Sequence, residues 1–154
     1  MFYDYYPLIA ALLANVIAQF LKPFALYLKT KSFDKYQFLA AGGFPSSHTS
    51  TVTSLALAIG LKEGFDSSLF FVAFIFLLIV AYDAMNVRLY AGRHIELTQQ
   101  LIDDLKSLEN IKFDDPIYFK KMKKILGHER FEVFGGFVLG VIISVVYYIL
   151  LGGF

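Results

Sequence analysis

The chain has 154 residues, of which 57% are hydrophobic and only 18% charged, with 17 Phe, 10 Tyr and no Trp. A single domain of this length cannot hide so much apolar side chain in a soluble core, so the composition excludes both a soluble monomer and a disordered chain and leaves a small integral membrane protein. The absence of Cys excludes a disulfide framework and thiolate metal sites, and a net charge of +1 offers no basic field to attract nucleic acid.

The spacing of charges predicts the elements. Apart from Lys22, no charge lies between Asp4 and Lys29, and none lies between Tyr36 and Leu61. Asp66 and Asp83 are the only charges between Gly64 and Val87, and Glu132 is alone after Phe131. Such gaps suit helices that cross ~30 Å of hydrocarbon at ~1.5 Å per residue. They predict an all-α integral membrane protein, one membrane domain over 1–154, with about four transmembrane helices near 7–28, 45–61, 68–90 and 131–151. The first segment starts on an acid (Asp4) and has too long an apolar run for a cleaved signal peptide. Residues 36–44 are too short to cross and are broken by Gly42-Gly43, so a re-entrant or interfacial segment is expected before the second helix.

Between the third and fourth crossings, 93–126 reads as a cytoplasmic helical insertion. Ile95, Leu97, Leu101, Leu105 and Leu108 recur at near-helical spacing with acids and Lys106 between them, the pattern of an amphipathic helix. Asp114-Asp115-Pro116 is a helix start signal, and a second short helix over 117–126 carries a Lys cluster, read as a solvated face near anionic lipid. Ala10, Ala14 and Ala18 on the first crossing and Gly136 and Gly140 on the fourth form small-residue stripes that allow close helix approach. The loop after the first crossing carries Lys29, Lys31 and Lys35, and the insertion carries Arg93, Lys106, Lys112, the Lys cluster and Arg130, whereas Lys62 is alone in the turn between the second and third. The positive-inside rule then sets both termini outward in a plasma (inner) membrane and the two basic loops in the cytoplasm.

Ionisable groups in membrane segments are costly and usually functional. Lys22, His48, Asp83, Arg88, His128 and Glu132 all fall towards the cytoplasmic side of this topology, on four separate pieces of chain. In 42–48, two glycines, Pro45, Ser46, Ser47 and His48 combine close backbone approach with a helix N-terminus and extra donors, a plausible phosphate seat; the structural alternative is a loop with an N-cap and an interfacial His. His128 and Glu132 stand four residues apart on one helix face, so the carboxylate can hold one ring nitrogen and leave the other free to attack; the alternative is a helix-start His with a Glu favoured by the dipole. Arg88 suits a phosphoryl clamp, and Asp83 suits an ion pair with Lys22 or Arg88. Arg93 is kept as a supporting contact, with a solvated loop position as the favoured reading. No tight metal motif is present, and Lys22 and Arg88 would repel a cation.

At these residues the chain resembles the divergent short branch of the type 2 phosphatidic acid phosphatase superfamily, also described as acid phosphatase/vanadium-dependent haloperoxidase-related. The resemblance runs from about Asn15 to the end of the last crossing and rests on Gln19-Phe20-Leu21-Lys22, Gly43-Phe44-Pro45-Ser46-Ser47-His48, Tyr82-Asp83-Ala84 with Val87-Arg88, and Gly127-His128 with Glu132. Lys22 matches the superfamily's first-motif Lys without a following Arg-Pro, Ser47 replaces a Gly in the second motif, and Glu132 replaces an Asp in the third. The resemblance implies a membrane-embedded lipid phosphate or polyprenyl (di)phosphate phosphatase without a cofactor. Lys22, Ser46, Ser47 and Arg88 would then bind the phosphoryl group, His128 would attack it, Glu132 would orient His128, and His48 would serve as acid and base. Superfamily members commonly have six helices, so a homodimer is expected to complete the bundle. Two other classes fit the same residues: a phosphate- or lipid-binding membrane scaffold without chemistry, and a small transporter subunit using the polar groups as an ion path.

Overall fold

A computed structural model describes residues 3–40, 42–106 and 127–153. Its described elements are all helical: α1 (Tyr6–Thr30), a 3-10 turn (Lys35–Leu39), α2 (Ser47–Glu63), α3 (Ser68–Met85), α4 (Val87–Lys106) and α5 (Arg130–Leu150). Local chemistry sets their limits. Pro7 opens α1 where its missing N–H costs nothing, and Lys31 closes it in the left-handed conformation at φ 59°. Ser46 and Ser67 cap α2 and α3 by accepting from Thr49 N–H and Phe70 N–H. Gly64, at φ 95°, ends α2.

Among the described residues, three stretches are long and apolar enough to cross a membrane: α1, the α3–α4 run from Ser68 to Lys106, and α5. The predicted second crossing, 45–61, corresponds to α2, which is different in kind. Its 17 residues span about 26 Å, and its buried residues include Ser47, Thr49, Ser50, Thr53 and Ser54. It sits among α1, α3 and α5, touching all three, so its hydroxyls meet protein. Backbones approach closely around it. A Cβ added at Gly136 would lie 2.4 Å from the Ser46 carbonyl oxygen, and one at Gly140 would lie 2.5 Å from that of Ser50. On the other side, Ala10, Ala14 and Ala18 of α1 are fully buried, and Ser50 Oγ donates to the Ala14 carbonyl at 3.3 Å. The predicted small-residue stripes are thus the surfaces that clasp α2.

Two boundaries differ from the sequence reading. The predicted third crossing over 68–90 is divided at Asn86, where the Tyr82 carbonyl accepts from both the backbone N–H and the side-chain amide of Asn86. The amphipathic helix expected from residue 95 therefore begins at Val87 and carries Arg88 in its first turn. In the stretch expected to be re-entrant, Lys35–Leu39 form a 3-10 turn and 42–45 a bend; the turn packs on α1, with Gln19 Nε2 donating to the Phe38 carbonyl at 3.1 Å. The second half of the insertion, including the helix expected over 117–126 and its Lys cluster, lies outside the described residues.

The bundle has two distinct ends. At one, Tyr6 is fully buried and its hydroxyl pairs with Ser144, bonding both the carbonyl oxygen at 2.9 Å and Oγ at 3.0 Å. The other gathers the C-terminal ends of α1 and α3 and the N-terminal ends of α2 and α5. Ser46 N–H donates to the Glu132 carbonyl, and His128 N–H donates to that of Ala84.

A candidate active site at one end of the bundle

Lys22 lies beside Pro23 in the last third of α1 and is 1% exposed. Its Nζ donates to the Ala40 carbonyl at 2.8 Å and to Ser47 Oγ at 3.4 Å. Gly43 allows the bend that brings the chain over this ammonium, with φ 93° and the Lys22 stem 3.9 Å from where a Cβ would stand. Phe44 then stacks on Phe131 at 5.0 Å between ring centres, in space left by Gly135. A cis Phe44–Pro45 peptide leads into the α2 start.

The three α2 start residues have separate duties. Ser46 Oγ is taken up by capping, accepting from Thr49 N–H at 3.4 Å and from Thr49 Oγ1 at 3.1 Å. Ser47 faces Lys22. His48 is exposed and lines a cavity of about 360 Å³.

His128 is buried to 1% exposure just before α5. Its Nδ1 lies 2.9 Å from Glu132 Oε2, and its Nε2 is buried with no hydrogen-bond partner among the described residues. Gly127 lets this segment press onto the start of α4, since a Cβ there would stand 2.2 Å from Leu89 N. The His48 and His128 rings are 6.4 Å apart, steeply inclined at 65°. Arg88, Lys22, Asp83 and His128 all lie near enough to act electrostatically on His48, as Glu132 does on Lys22.

Arg88 and Asp83 line the cavity with His48 and form an ion pair through Arg88 Nε and Asp83 Oδ2. The pairing alternative for Asp83 is thus realised with Arg88. Arg93 is not part of the cavity lining; its guanidinium lies over the Tyr90 ring at 5.8 Å, on exposed α4. Asn15 and Thr51 complete the polar lining. Asn15 escaped the sequence reading because it bears no charge, although a carboxamide inside an apolar span is itself a signal. Among the described residues, no group of three or more His, Asp and Glu side chains is arranged to hold a metal.

The arrangement is an all-helical membrane domain that collects two imidazoles, two cations and two carboxylates at one end. The chain belongs to the family described as the divergent PAP2 family, whose pattern it matches over residues 3–143. It is also 35% identical over 146 residues to the uncharacterized membrane protein YuiD of Bacillus subtilis (strain 168), covering 92% of each chain. No solved structure matches it.

Proposed function

We propose that the protein is a membrane-embedded phosphatase of lipid phosphates or polyprenyl (di)phosphates that works through a phosphohistidine on His128. The observation that carries this reading is the state of the His128 ring. One nitrogen is held by Glu132, and the other is buried and has no partner among the described residues. A ring oriented by a carboxylate presents its second nitrogen as a nucleophile. Lys22, Arg88 and the α2 start supply positive charge for the phosphoryl oxygens. Nε2 attacks phosphorus as the P–O bond to the lipid breaks, and His48 gives the leaving oxygen its proton. His48 then takes a proton from water as that water attacks phosphorus, breaking the N–P bond and releasing phosphate. Glu132 stabilises the imidazolium throughout. Both termini face outward, the site faces the cytoplasm, and two copies associate.

A second reading, a phosphate-binding scaffold without turnover, has its own support. His128 is absent from the cavity lining, and Asp83 occupies Arg88. Catalysis requires the wall containing His48 and Ala84 to yield. The test is phosphate release by purified protein from phosphatidic acid, phosphatidylglycerophosphate and polyprenyl diphosphate, wild type beside His128→Ala. Release by wild type, with loss of at least ~1,000-fold in the variant, is expected. Equal release by both would remove His128 from the chemistry, and orthovanadate binding without release would favour the scaffold.

A further inference from the structure

The cavity lined by His48 and Arg88 extends beyond these two side chains. From His48 and Arg88 it runs past Asn15 and Thr51 to an apolar wall of Val52, Phe76 and Val80. Thr51 is three residues along α2 from His48, so it lies about 4.5 Å farther into the bundle. Asn15 Nδ2 donates to Thr51 Oγ1 at 2.9 Å, and Thr51 Oγ1 donates to the Ser47 carbonyl at 2.7 Å. That chain of bonds fixes the carboxamide plane. The Asn15 oxygen and its second N–H take no partner among the described residues. The cavity thus offers a held donor and acceptor between a charged end and a hydrocarbon end.

We propose that Asn15, positioned by Thr51, is a specificity determinant that reads the ester linkage of a glycerolipid phosphate. This rests on the reading of His48 and Arg88 as the phosphate end. In a diacylglycerol phosphate the ester carbonyls stand a few bonds from phosphorus, between headgroup and tail, where they accept a hydrogen bond from the carboxamide. A polyprenyl phosphate has only hydrocarbon at that level, and it would leave the polar pair facing an apolar chain. A site that hydrogen-bonds its substrate discriminates against analogues lacking the partner, because its own polar groups are then left unmet.

Three lipids separate the possibilities: a diester glycerolipid phosphate, its diether analogue and a polyprenyl phosphate of similar length. Both affinity, by native mass spectrometry in detergent, and phosphate release are measured for wild type, Asn15→Leu and Thr51→Val. Wild type is expected to bind the diester about tenfold more tightly than the diether or the polyprenyl lipid. Asn15→Leu should lose that preference while keeping its affinity for the diether and polyprenyl lipids, which also shows that it folds. Thr51→Val should fall between. Equal affinity of wild type for all three, or an equal loss on all three in Asn15→Leu, overturns the proposal. Selective binding without phosphate release would leave the ester reading standing and defeat the phosphatase reading.

Discussion

One carboxylate oxygen, Glu132 Oε2, meets both His128 Nδ1 at 2.9 Å and the Glu129 N–H at 3.3 Å. It serves the start of α5 and the imidazole at once. Glu132→Gln separates the two duties. The amide oxygen still accepts one N–H, so α5 keeps its start, but no charge remains to stabilise an imidazolium. The variant is expected to melt close to wild type and to release phosphate on the order of 100-fold more slowly in single-turnover assays. A wild-type rate would confine Glu132 to the helix start. The His128–Glu132 relation was readable in the sequence because helical periodicity turns an interval of four into adjacency. Other side chains were less legible. The use of Ser46 Oγ by Thr49 depends on a rotamer, and the direction of Arg93 depends on how α4 leaves α3. Neither is encoded in spacing.

Among the elements, α2 and α5 approach closely where Gly140 faces the Ser50 carbonyl and the Thr53 Cβ, 2.5 and 2.8 Å from where a side chain would begin. Because backbone stands there, the neighbour cannot swing aside. Gly140→Val is expected to cost about 1–3 kcal/mol, read as a lower melting temperature in detergent. An unchanged transition would mean that α5 sits farther from α2. The apolar spans were legible because gaps between charges are a property of whole segments. The interruption at Asn86 was not, because it is local to one residue, whose side-chain amide joins its own N–H on one carbonyl. Nor does composition state that α2 would be surrounded, although its run of hydroxyls is what a helix shielded from lipid tolerates.

For the whole molecule, orientation follows from where the cations lie, and the chain itself makes the test clean. With no Cys in the sequence, a single introduced thiol reports alone. Gln100→Cys on exposed α4 is expected to react with a membrane-impermeant maleimide only after cells are opened. Labelling of intact cells would reverse the topology and move the polar end to the outer face. The clustering of ionisable groups at one end was visible from sequence, since alternating spans return to the same side. Which groups touch across helices was not, because that depends on the rotation of each helix about its own axis.

The hydroxyl-rich character of α2 bears on how the protein is made. A segment that carries Ser46, Ser47, Thr49, Ser50, Thr51, Thr53 and Ser54 in its first half has little reason to leave the insertion machinery for lipid by itself. Its natural partners are α1, already synthesised, and α3, which follows after a four-residue interval. Membrane integration and tertiary assembly are then a single event for this helix: α1 shelters it on emergence and α3 secures it from behind. Substitutions that roughen the Ala10–Ala14–Ala18 face would therefore act first during biogenesis, as chains with α2 stranded in water and cleared by quality control, before any loss of stability could be measured in the finished protein.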